Sequence, residues 1–181
     1  MTTINRRTFI KAASITYGSI LLFPSCLTSP GNFRFFTDEE AKCITALCEQ
    51  IIPADESPGA TSAGIINYID KQLTEVFHYD QTTYRDSIKN LQHYCTKTFG
   101  KRFENIEFDQ QTNILTSLES GELTKEDWPD GNASSFFNLI LSHTMQGFYG
   151  SPIHGGNKNY MSFEMLRIDY PLVIGQNRYR S

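Results

Sequence analysis

A chain of 181 residues that is 39% apolar and 13% aromatic can bury one respectable core, which predicts a single domain. Its formal net charge of -4, with 20% charged residues and no basic stripe, carries no nucleic-acid footprint. No internal repeat and no low-complexity tract longer than a short polar loop interrupts it.

Residues 1–26 read as an address rather than as part of the fold. In Asn5-Arg6-Arg7-Thr8-Phe9-Ile10-Lys11, paired arginines precede a polar residue, a Phe, an aliphatic residue and a Lys. The arrangement resembles the twin-arginine export motif, with Arg6, Arg7, Phe9 and Lys11 at its key positions and Asn5 where Ser or Thr is usual. The weakly apolar run that follows, residues 12–23, is too short to span a bilayer as a permanent helix. That export route carries proteins already folded, often with a cofactor inserted or a partner attached. Leu22-Phe23-Pro24-Ser25-Cys26 resembles a lipoprotein processing site, with Phe23 where Leu is usual. A lipid on Cys26 would anchor the protein without a spanning helix; the alternatives are ordinary cleavage nearby or a retained signal.

Residues 27–36 read as a tether, and residues 37–181 as the helical domain. Thr37-Asp38-Glu39-Glu40 has the form of a capping box with further acids in the first turn, so a helix is expected through Ile51, stopped by Pro53. Asp55 and Glu56, in a turn punctuated by Pro53 and Pro58, read as acceptors of backbone amides rather than catalytic carboxylates. A second helix starts near Thr61 or Ser62 with Ile65, Ile69, Leu73, Val76 and Phe77 on one face and Asn67, Asp70, Lys71 and Glu75 on the other. A third covers about residues 83–99 with Gly100 as its C-terminal cap, and a fourth about residues 109–119. Residues 121–131 read as a long polar loop.

The fifth helix begins near Asn132 or Ser134 and turns apolar at Phe136, Phe137, Ile140, Leu141, Thr144 and Met145. Beyond Met145 the chain becomes a loop rich in glycine and aromatics, with Gly147, Gly150, Pro152, Gly155 and Gly156. This loop lacks the preceding strand of a dinucleotide site and the Gly-Lys-Ser/Thr of a triphosphate loop. It is either a structural loop folded back on the domain or a docking loop, with Phe148, Tyr149, Pro152, Ile153, His154 and Asn157 as candidate partner contacts. A short helical turn is expected within residues 160–166. No strand pattern of useful length occurs, so the class is all-α, an irregular helical bundle.

The chemistry-bearing residues do not form a recognisable set. There is no Cys-x-x-Cys-His for covalent haem, and His78, His93, His143 and His154 lack the spacing of helical metal sites. His143 reads as a hydrogen-bonded core group. Cys43 and Cys48 point apart on one helix, whereas Cys48 and Cys95 each sit on an apolar face and an oxidising compartment permits a bond between them; buried free thiols are the alternative.

A resemblance sharpens the reading. Ile51-Ile52-Pro53-Ala54-Asp55, Gly59-Ala60, Gly64-Ile65-Ile66-Asn67-Tyr68-Ile69-Asp70, Phe136-Phe137, Gly147-Phe148-Tyr149-Gly150-Ser151-Pro152 and Gly155-Gly156-Asn157 together resemble the gluconate 2-dehydrogenase subunit 3 family. The resemblance implies a small non-catalytic subunit, without a cofactor of its own, of a periplasmic, membrane-associated sugar or polyol dehydrogenase. It implies as partners an FAD-bearing flavoprotein of the glucose-methanol-choline type, a cytochrome c subunit and the twin-arginine translocase. The alternatives are a free-standing lipoprotein that binds a ligand and an independent sugar-active enzyme using His143, His154 and Asn157.

Overall fold

The computed structural model describes residues 32–129 and 131–168. The signal candidates Arg6, Arg7, Phe9 and Lys11 and the lipidation candidate Cys26 lie outside the described residues. Among the described residues there are six α-helices: α1 (Asp38–Ile51), α2 (Ile65–Thr74), α3 (Gln81–Phe99), α4 (Phe108–Ser120), α5 (Ala133–Tyr149) and α6 (Met161–Met165). Short 3-10 turns at His78–Asp80, Phe103–Asn105, Pro152–His154 and Lys158–Tyr160 join them, and the described residues contain no strand. The all-α expectation is met. None of the described helices is long and apolar enough to cross a membrane.

The helix ends follow local chemistry. Thr37 Oγ1 accepts the Glu40 amide at 3.2 Å while the Glu40 carboxylate takes the Thr37 amide at 2.8 Å, so the expected capping box forms. A second reciprocal box, Glu107 with Gln110, starts α4. Gly100 and Gly121 close α3 and α4 in the left-handed conformation. The second helix starts later than its spacing predicts, at Ile65, because Gly64 stands in the left-handed region at φ 70° and holds residues 60–64 as a separate turn. It also ends earlier, leaving Val76 in solvent, while Phe77 packs against the core.

The central element is α5, which packs against α1, α2, α3, α4 and α6. Its inward face of Phe136, Phe137, Ile140, Thr144 and Phe148 meets Ile44 and Leu47 of α1, Ile69 of α2, Leu91 of α3 and Leu118 of α4 in one buried core. Residues 121–131, expected as a polar loop, deliver Trp128 fully buried into that core. Its indole N–H donates to Asn132 Oδ1 at 2.7 Å, which satisfies the one polar atom that burial would otherwise strand.

Residues 32–36 are not the free tether their composition suggests. Phe36 belongs to the core, and Phe33 and Phe35 pack against it. The strap is held by Asp70, placed by its neighbours on a polar helix face but only 4% exposed. Its carboxylate accepts the amides of Arg34, Phe35 and Phe36 at 2.7, 2.9 and 3.0 Å. Arg85 lies 4.4 Å over the Phe35 ring, donates to the Phe35 carbonyl at 2.6 Å and pairs with Glu40.

Cys43, Cys48 and Cys95 are buried free thiols, so the Cys48–Cys95 bond that the compartment would permit is not made. Thr144 Oγ1 lies 3.2 Å from Cys48 Sγ as a donor. Burial pushes the Cys48 and Cys95 thiols up to about 12, which leaves them protonated and unreactive.

Candidate functional site

The glycine-rich segment after α5 was the strongest sequence signal for a site, and its geometry separates an inner from an outer surface. α5 runs on through Gly147 to Tyr149 rather than breaking after Met145. Gly147 faces α2, where a side chain would place its Cβ 2.9 Å from the Tyr68 ring; the glycine serves close helix packing and not a turn. Tyr68 completes this contact with a hydrogen bond from its hydroxyl to Gln146 Oε1 at 3.0 Å. Gly155 takes φ 109°, a conformation strained for any other residue, and lies against the backbone of Asn67 and Tyr68. The loop is thus laid flat on α2.

Asn157 locks it there. Fully buried, it donates from Nδ2 to the Gly150 carbonyl at 2.8 Å and accepts the Ser162 amide on Oδ1 at 2.9 Å. One side chain therefore ties the end of α5 to the start of α6. The Lys158 amide donates to the Ala63 carbonyl at 3.0 Å, and Lys71 Nζ donates to the Ile153 carbonyl at 3.1 Å.

The six candidate docking residues divide accordingly. Phe148 and Asn157 point inward and do not dock anything; the first fills the core and the second holds the loop. Sequence spacing could not separate them from their neighbours, because in an irregular loop no period marks the buried side. Tyr149, Ile153 and His154 are exposed, Ile153 at 74%, and Pro152 is half-buried at the start of its 3-10 turn.

The residues proposed for an independent enzyme do not act together. His143 is buried on α5, with Nδ1 2.9 Å from the Tyr84 hydroxyl and its ring stacked on Phe77 at 4.4 Å between centroids. Its Nε2 lies 3.9 Å from the Asp80 carboxylate, and burial lowers its pKa to about 4. It is a neutral, hydrogen-bonded core imidazole, as its place on an apolar helix face suggests. Asn157 is committed to the loop, and His154 stands in solvent.

A groove of about 650 Å³ runs along the outer face of α1 between Phe33 and Phe108. Several of its polar groups are engaged by the fold. The Glu49 carboxylate takes the amides of Ala54 and Thr61, Gln50 bonds Gln111, and Glu104 bonds Arg102 and Gln92. Asp55 accepts the Ser57 amide at 2.7 Å, the turn role expected of it. No group of three His, Cys, Asp or Glu side chains suited to a metal ion occurs among the described residues.

Comparison with known proteins decides the relationship. The family model described as gluconate 2-dehydrogenase subunit 3 matches residues 38–169, well over half of the chain. The chain belongs to the gluconate 2-dehydrogenase subunit 3 family. No curated protein and no solved structure matches it. The match begins at the first residue of α1 and ends just beyond α6, so the subunit 3 domain contains the whole helical body and the glycine-rich segment. As a member of a family defined as one subunit of a dehydrogenase complex, the chain has a catalytic partner.

Proposed function

We propose that this chain is the non-catalytic accessory subunit of an FAD-dependent sugar dehydrogenase of the glucose-methanol-choline type, which it escorts through export and stabilises afterwards. The family membership carries this reading, since it defines the chain as a subunit beside others. The interior agrees with it. The Cys48 and Cys95 thiols are buried and protonated, the buried His143 imidazole is held neutral by its burial, and Glu49, Gln50, Glu104 and Gln111 in the groove along α1 are engaged in backbone and side-chain bonds. In this reading FAD resides in the partner, a cytochrome c subunit receives the electrons, and the chain itself supplies a stable folded surface.

The localisation follows from the N-terminal residues. Arg6 and Arg7 direct a folded complex to the twin-arginine translocase, and a lipid on Cys26 holds it at the periplasmic face of a membrane. The test is to express the flavoprotein subunit with and without this chain and to measure periplasmic sugar oxidation with an artificial electron acceptor. We expect at least a tenfold fall without it, and the same fall with an Arg6→Lys/Arg7→Lys variant. Equal periplasmic activity with and without the chain overturns the proposal.

A further inference from the structure

A subunit needs a surface for its partner, and the exposed apolar residues are not spread evenly. Nine large apolar side chains stand exposed among the described residues, and six of them, Met145, Tyr149, Ile153, Met165, Leu166 and Ile168, fall between residues 145 and 168. They come from the last turns of α5, from α6, which packs on α5, and the residues just after it, and from the Pro152–His154 turn, which packs on the Lys158–Tyr160 turn that α6 also contacts. Of the other three, Val76 and Tyr79 lie in the connection between α2 and α3, and Phe108 opens α4. Scattered exposed apolar residues are ordinary, whereas a concentration on one packed unit marks an interaction site.

Composition points the same way. Residues 145–168 hold only three charged side chains, Lys158, Glu164 and Arg167, and three of the chain's four methionines. Depletion of charge with enrichment in Met and aromatics is the signature of an interface core. The surface is also presented rigidly, because Asn157 and the close packing at Gly147 fix the segment before any partner arrives, which lowers the entropy lost on docking. A lipid surface is disfavoured as the occupant. Anionic membranes are recognised by clusters of roughly four to eight basic residues, and here Lys158 and Arg167 are opposed by Glu164.

We propose that the apolar face formed by Met145, Tyr149, Ile153, Met165 and Leu166 is where the catalytic flavoprotein subunit docks, through a charge-poor apolar patch of its own. This rests on the accessory-subunit reading above. It moves the interface away from the inward-facing Phe148 and Asn157 and extends it onto α6.

The test uses the full chain co-expressed with the flavoprotein subunit, carrying the photocrosslinker p-benzoylphenylalanine at Ile153, or at Phe108 as a control on a different element. We expect an adduct from Ile153 to the flavoprotein, identified by mass spectrometry, and none from Phe108. A Tyr149→Asp/Ile153→Asp variant should lose at least tenfold of the co-purifying dehydrogenase activity while keeping the thermal midpoint of the isolated subunit. Adducts from Phe108 but not Ile153 in an intact complex overturn the docking face and leave the accessory role standing. Adducts from Ile153 to phospholipid, a cytochrome subunit, a second copy or the chain's own C-terminal residues likewise overturn it, as does a double variant that retains the complex. If no flavoprotein co-purifies with the unaltered chain, the accessory role itself fails, and the docking face with it.

Discussion

Two irregular, aromatic-rich segments border the helical body, and they treat their side chains in opposite ways. At the N-terminal edge, Phe33, Phe35 and Phe36 all turn toward the core, while Arg34 reaches outward to Glu75 at 3.2 Å. At the C-terminal edge, Phe148 turns inward but Tyr149, Ile153, Met165 and Leu166 remain in solvent. Each segment is pinned by one buried polar side chain, Asp70 for the first and Asn157 for the second. The pins are alike and the surfaces they leave are not. The strap completes the fold, whereas the C-terminal segment is held just as firmly and still leaves apolar area uncovered. Rigidity without burial is what a docking surface requires.

The comparison can be broken at each pin. Asp70→Ala would strand three backbone amides against the core, and charge-assisted bonds of this kind make the expected loss about 4 kcal/mol in urea unfolding. Hydrogen exchange at Arg34, Phe35 and Phe36 should accelerate, while residues 145–168 keep their protection; equal acceleration at both edges would mean the two are not independent.

Acidification should act on the core between them. The His143 imidazole stays neutral in the fold down to about pH 4, while in the unfolded chain it takes a proton below its ordinary value of 6.5. This group leaves stability unchanged above pH 6.5, and as pH falls from 6.5 to 4 the native state loses up to about 3 kcal/mol. Asp80, whose carboxyl burial raises, binds its proton more readily in the fold and offsets part of the loss at the acid end. A His143→Gln variant should flatten the profile of stability against pH; an unchanged slope would assign the acid sensitivity elsewhere.

The smallest effect is expected at the second pin. Asn157→Ala removes one buried and one part-buried hydrogen bond and puts alanine at φ 45°, together about 2 kcal/mol. Circular dichroism should show the helical body retained, and sugar-oxidising activity in the complex should fall further than stability does, because the docking face loses its support. A loss of stability with full complex activity would separate the pin from the surface.

Much of the fold is legible from local chemistry. The Thr37–Glu40 box, the Gly100 cap and the apolar spacing of residues 83–99 each depend on residues within a turn or two of one another. The late start of α2 was hidden because Thr61 and Ser62 are good helix starters, and only the left-handed Gly64 overrides them. Trp128 was hidden for a different reason: a single apolar residue in a polar loop has no period to reveal its direction.

The candidate site was legible as a place and not as a surface. Residue types alone determined an all-α chain with well-marked helix ends, a family resemblance, and a glycine–aromatic segment set apart from the helices. Tertiary structure decided which of those aromatics are buried, that Gly147 serves helix contact, and that Asp70 and Asn157 are structural pins. The reason is range. Caps and periods arise from neighbours in sequence, but a buried carboxylate finds its amides 34 to 36 residues away, and only the packed chain brings them together.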